Sequence, residues 1–167
     1  AFNSEAGGEV RGGIAYNKKA YFVVGDTFYE YDAAGTRTSR GTLNTSSGPV
    51  SLAHNGVRTG ANQQIAIADG TGLYIYNNVT STLTLNTDAD STEAVTVVFL
   101  DGYFVFNQKD TDRTWNTALY DGTSVIGTDF FTAEGDPDRT VALLTDQRQL
   151  LNFGEISLEP YYNAGDS

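Results

Sequence analysis

The sequence predicts an all-β, β-propeller-like fold, and three observations carry that expectation. The first is a repeated hairpin. "AYFVVGDTFYEYD" (20–32), "IAIADGTGLYIYN" (65–77) and "TVVFLDGYFVFN" (96–107) each join an apolar strand, a Gly/Asp turn and an aromatic-rich strand. The second is composition. Eighteen Gly accompany abundant Thr, Val, Tyr and Phe, while helix formers rarely fall in periodic runs, a mixture that suits strands and tight turns. The third is a missing alternation. In "FLDGYFVFN" (99–107) almost every strand residue is apolar, whereas a hairpin with one face in water alternates polar and apolar.

Residues 1–9 read as an N-terminal segment, and 10–167 as the propeller portion. The first blade covers about 10–45 and contains the first hairpin. The second, about 50–87, adds "VSLAHNG" (50–56) before its hairpin and "STLTLN" (81–86) after it, giving four strands. The third, about 95–131, turns at Asp101-Gly102, a pair that suits the positive φ of a primed hairpin turn. "RTWNTALYDG" (113–122) and "SVIGTDFF" (124–131) complete it. A weaker copy, "VALLTDQRQLLNFGE" (141–155), opens an incomplete fourth blade over about 139–163.

With the second strand of each hairpin as marker, Phe28, Leu73, Tyr103 and Leu150 lie 45, 30 and 47 residues apart. Multi-strand repeats of roughly 40 residues are the signature of propeller blades. Inner strands of a propeller are flanked by other blades on both faces, so alternation disappears and aromatics fill the wedges. Short strands at regular spacing also suit a β-sandwich; the repeat favours the propeller. Only three to four blades are visible, and the chain has no Met even at position 1. It therefore reads as part of a larger propeller and of a longer chain.

Ten basic against 21 acidic residues give a net charge of −11. Nucleic-acid affinity rests on grouped positive charge, and here only Lys18-Lys19 cluster, which argues against tight binding of DNA or RNA. Without cysteine, disulfides and thiol chemistry are excluded. No apolar run approaches the roughly 18 residues of a membrane-spanning helix.

Catalytic patterns are largely absent. There is no G-x-S-x-G elbow and no phosphate-binding Gly-rich loop ending in Lys, and the single histidine, His54, reads as a turn residue. Asp88, Asp90 and Glu93, with Asn86, are weak candidates for a calcium loop. They lack the central glycine and terminal bidentate glutamate of an EF-hand, and a solvated acidic loop explains them more simply. Glu134, Asp136 and Asp138 form a carboxylate group of the kind glycosidases use, but Gly-Asp-Pro-Asp is first of all a turn. No catalytic, cofactor or metal residue is assigned.

The stretch "DFFTAEGDPDRTVALLTDQRQLLNFGEISLEPYYNAG" (129–165) resembles the packaged DNA stabilisation proteins of short-tailed phages (podoviruses), also called tail accessory factors or tail hub (nozzle) proteins. The matching residues are Ala133, Glu134, Gly135, Pro137, Asp138, Phe153, Gly154, Glu155, Ser157, Glu159, Tyr162, Asn163 and Gly165. "RGGIAYNKKAYFVVGDTFYEYD" (11–32) and the hairpin carrying Gly102 resemble further family segments, so the similarity runs from about Arg11 onward. Asn152 and Pro160 depart from it, standing where bulkier apolar residues are expected.

The resemblance implies a structural, non-enzymatic role in the virion tail, assembled in the host cytoplasm. It implies a homo-oligomeric ring below the portal and its adaptor, linked to tail needle and tailspike proteins, with DNA passing nearby without tight binding. The motif residues also have a structural reading of their own. Gly154 is expected to supply backbone freedom at a strand end, and Glu134 and Asp138 to hold turn amides between blades. A carbohydrate-binding or carbohydrate-active propeller of a secreted or surface protein is the alternative. It would gather carboxylates and aromatics about the propeller axis, whereas a hub would place its aromatics between blades.

Overall fold

The computed structural model describes residues 7–132, 135 and 138–162. It is a series of antiparallel meanders. Sheet 1 contains β1 (Val10–Tyr16), β2 (Lys19–Val24), β3 (Thr27–Tyr31) and β4 (Arg37–Thr42). Sheet 2 contains β5 (Ser51–His54), β6 (Gln64–Ala68), β7 (Leu73–Asn77) and β8 (Thr82–Leu85). Sheet 3 contains β9 (Ala94–Leu100), β10 (Tyr103–Gln108), β11 (Arg113–Ala118) and β12 (Asp121–Thr132). Sheet 4 has three strands, β13 (Thr140–Asp146), β14 (Gln149–Gly154) and β15 (Leu158–Tyr162). In each sheet consecutive strands pair in chain order.

The sheets stack face to face, as blades do. Their first strands pack in succession, β1 on β5, β5 on β9 and β9 on β13. One hydrophobic cluster fills each junction. Tyr21, Phe28, Ile65 and Tyr76 lie between sheets 1 and 2; Ala66, Leu73, Phe104 and Phe106 between sheets 2 and 3; Val105, Leu143 and Leu150 between sheets 3 and 4.

This stacking accounts for the lost alternation. All five residues of β6 are buried. Ile65 and Ile67 point into the first junction, while Ala66 and Ala68 point into the second. In β10, Phe104 and Phe106 face sheet 2 while Val105 faces sheet 4. The period of two survives, but it sorts apolar residues between two dry interfaces instead of sorting apolar from polar. Each fully buried large side chain contributes roughly 1.5–3 kcal/mol over its exposed state.

The turn chemistry follows the sequence. Asp101 has φ 47° and Gly102 φ 97°, the positive pair a primed turn requires. A Cβ on Gly102 would also come within 2.5 Å of Leu119 Cδ1. The marker spacing, however, mixes two strand positions. Phe28 and Leu73 lie on the third strands of their sheets, β3 and β7, while Tyr103 and Leu150 lie on second strands, β10 and β14. The short step of 30 residues comes from that slip. The cause is that double-sided burial makes second and third strands equally apolar. Pro160 lies on β15 at the end of sheet 4, a position that needs no donor from it. Asn152 is buried on the face of β14 turned to sheet 3, with its amide unpartnered among the described residues.

Candidate functional site

Among the described family-motif residues, Gly135, Asp138, Gly154, Glu155, Ser157 and Glu159 gather toward the β14–β15 turn of sheet 4, beside the β10–β11 turn of sheet 3, while Gly102 lies apart in the β9–β10 turn. Asp138 precedes β13, and its carboxylate reaches the β14–β15 turn. It accepts hydrogen bonds from Ile156 N at 2.7 Å, Ser157 N at 3.2 Å and Ser157 Oγ at 2.9 Å. Those bonds, led by the Ile156 amide, hold its pKa below the ordinary Asp value. Asp138 thus ties turn amides as expected, but within one blade and not between two. Gly154 serves this seat differently from expectation. It has no positive φ among the described residues; instead, a Cβ there would lie 2.0 Å from Asp138 Oδ1. The position needs space, not backbone freedom.

Glu159 accepts Gly135 N at 3.0 Å and receives the Tyr161 hydroxyl, which also reaches Thr132 O at 3.2 Å. Phe153 lies on the other face of sheet 4, in register with Ala142 and Leu158. Glu155 is exposed, and its amide donates to Arg139 O at 3.1 Å. Glu134, Pro137, Asn163 and Gly165 lie outside the described residues.

Asp138, Arg139 and Glu155 line an open cleft of about 760 Å³ together with Asp110, Asp112 and Arg113. Arg139 Nη1 stands 3.7 Å from Asp110 Oδ1. Of the cleft's carboxylates, Asp138 is already engaged by three donors of the β14–β15 turn. The calcium-loop candidates are not brought together. Asp88 Oδ2 accepts Val125 N at 2.8 Å, Asp90 sits over Gly127, and Glu93 is exposed. Among the described residues no group of three His, Asp or Glu side chains has metal-binding geometry.

Two buried polar networks escaped the sequence reading. At the junction of sheets 1 and 2, Glu30 is 4% exposed. It receives Arg40 through two hydrogen bonds at 3.0 and 3.1 Å, Tyr76 Oη at 3.0 Å and Lys19 Nζ at 2.9 Å. Burial by itself raises the Glu30 pKa, but bonds from Arg40, Lys19 and Tyr76 outweigh it and bring it to about 2. Burial, and then the Glu30 charge, push the Tyr21 hydroxyl well up. One Glu amid the aromatics of "TFYEY" (27–31) was the signal available. In the second network Arg11, also buried, donates to Gly25 O at 2.9 Å, Gly48 O at 2.7 Å and Thr45 O at 2.6 Å. Thr45 in turn bonds Asp69 at 2.9 Å, pinning the link from sheet 1 to sheet 2.

The family described as Bacteriophage P22 Gp10, beta-propeller, matches residues 2–167. The chain belongs to this family. Members of the P22 Gp10 family are phage structural proteins of packaged-DNA stabilisation, so this P22 Gp10 relative is a virion structural protein with a β-propeller fold. No curated protein matches the chain closely enough to count as a relative.

Solved structures agree on the fold. The computationally designed Ika4 protein is 9% identical with a TM-score of 0.67, and the match covers 95% of this chain and 94% of that one. A chain of the Mitotic Checkpoint Complex is 11% identical with a TM-score of 0.62, covering 92% of this chain and 46% of that one. The Pan2 WD40 domain of Neurospora crassa is 10% identical with a TM-score of 0.57, covering 86% and 41%. This chain thus spans under half the length of the last two.

Proposed function

We propose that this protein is a tail hub component of a short-tailed phage. In this reading, copies form a ring below the portal and adaptor, retain packaged DNA, and connect to needle and tailspikes. The observation that carries the reading is the family match over residues 2–167. Two physical features support it. The large aromatics Tyr21, Phe28, Tyr76, Phe104 and Phe106 are fully buried in blade junctions, as an assembly scaffold requires, and do not line an open binding cleft. The net charge of −11 suits a conduit wall that phosphates must slide past without adhering. Retention in this reading means closing the exit, not gripping the polymer.

The test is quantitative proteomics of gradient-purified virions. Trypsin releases "TVALLTDQR", Thr140 to Arg148. A constant ratio of this peptide to a portal peptide is the expected result. Its absence from clean particles, with presence in the cell or medium, would overturn the tail assignment.

A further inference from the structure

One cleft is positive in a chain whose net charge is −11. It holds about 420 Å³ and lies where the β1–β2 turn of sheet 1 meets the start of the loop from β5 to β6 of sheet 2. Lys18, Lys19 and Arg58 line it against a single carboxylate, Asp32, so three cations face one anion. These charges are not equally engaged. Lys19 Nζ lies 2.9 Å from Glu30 Oε1, whose charge Arg40 also meets. Asp32 turns Oδ1 toward its own loop, accepting Ala34 N at 2.9 Å and Thr36 N at 2.8 Å. Lys18 and Arg58 enter no ion pair among the described residues. Local structure fixes where both stand. Asn17 and Lys18 have φ 48° and 63°, the positive pair of a primed turn, and a lysine there is less favourable than Gly or Asn. The Tyr16 hydroxyl donates to Val57 O, next to Arg58, and Asn17 Nδ2 donates to Gln63 Oε1. The β5–β6 loop is thereby fastened to the β1–β2 turn near both of its ends.

We propose that this cleft binds a phosphate dianion, either free or at the end of an organic monoester. The site goes beyond the virion reading and does not depend on it. Lys18 and Arg58 together supply the two positive charges that a doubly ionised phosphate needs. Arginine's planar fork can hold two phosphate oxygens at once, and lysine adds a compact charge. His54, which also lines the cleft, supplies a third donor. Its ring is stacked on Tyr16, and Nδ1 accepts Gly56 N at 3.1 Å, which leaves the imidazole proton on Nε2. Burial first, and then the Arg58 charge, lower its pKa, so near neutral pH it remains a neutral donor. A phosphodiester carries one charge and fewer charged oxygens, so the same donors fit it worse. The cleft therefore does not conflict with nucleic acid passing the protein without adhering. Its volume exceeds what phosphate alone fills, and Tyr31 offers an aromatic wall for an ester group.

Because His54 is the single histidine, its imidazole signals in NMR spectra of the 167-residue chain report on the cleft directly. The chain is titrated with inorganic phosphate, phenyl phosphate and dimethyl phosphate at slightly alkaline pH and constant ionic strength. Saturable shifts with the first two probes, and none with the diester, are the expected result. Tighter binding of phenyl phosphate would assign the site to an organic monoester, and equal affinity to free phosphate. Lys18 and Arg58 are exposed, and glycine suits the positive φ at position 18. Arg58→Ala and Lys18→Gly are each expected to weaken phosphate binding about tenfold, with far-UV circular dichroism confirming folding. Lys109→Ala, in the β10–β11 turn of sheet 3, is expected to leave binding unchanged. Shifts that never saturate would overturn the proposal. So would an equal response to dimethyl phosphate, or an equal loss in Lys109→Ala, since either means general charge attraction without a site.

Discussion

Asp138 Oδ1 occupies the space a side chain on Gly154 would need, 2.0 Å from the position of its Cβ. The carboxylate and the missing side chain form one device, which anchors the start of β13 to the β14–β15 turn. Gly154→Ala is therefore expected to expel the carboxylate from its three donors and lower the urea midpoint. The same change in an Asp138→Ala background should cost much less, because the seat is already empty. Urea denaturation of the two single variants and the double variant measures this coupling; additive effects would refute it.

Glu30 should govern part of the acid stability. Its pKa of about 2 in the fold lies below the ordinary 4.5. A depressed carboxylate contributes fully above its unfolded value, and that contribution is lost as pH falls from 4.5 toward 2. The difference corresponds to about 3 kcal/mol. Urea midpoints across that window are expected to fall more steeply for the wild type than for Glu30→Gln. At pH 7, Glu30→Gln should itself be destabilised by about 2–3 kcal/mol, since Lys19 and Arg40 lose their anion but keep partial access to water.

His54, the single histidine, gives a second pH signature. Its ring stacks on Tyr16 at 4.7 Å between centroids, and Nδ1 accepts Gly56 N at 3.1 Å. Burial lowers its pKa from 6.5. The folded state thus prefers neutral imidazole, and this stabilisation is complete above pH 6.5 and lost as pH falls through the lowered folded value. A one-proton NMR titration should place the His54 midpoint below 6.5. A midpoint at or above 6.5 would show that the stacked, half-buried setting does not hold.

The two faces of β6 should respond oppositely to volume. Ile67 fills the junction of sheets 1 and 2, and Ile67→Ala is expected to cost about 2–5 kcal/mol through a cavity. Ala66 abuts the aromatic side of sheet 3, where Ala66→Leu should cost about 1–3 kcal/mol by overpacking. Thermal unfolding of both variants checks the assignment; a stabilised Ala66→Leu would mean that this junction has room.

By itself the sequence determined the strands, the hairpins and the Asp101-Gly102 turn. Those features depend on residues adjacent in the chain: a primed turn needs its own two positive φ values, and a run such as "QIAIA" (64–68) is apolar whatever lies beside it. The resemblance carried by residues 129–165 likewise needed no coordinates. Only the tertiary structure decided which neighbour each face of β6 and β10 meets, and so that Phe28 and Tyr103 hold different strand positions. It also decided that Glu30 finds Tyr76, 46 residues away, and that Gly154 yields its space to Asp138. These are contacts between separate blades or between distant segments of one blade, and their energies arise from desolvation and packing across gaps that local patterning does not encode.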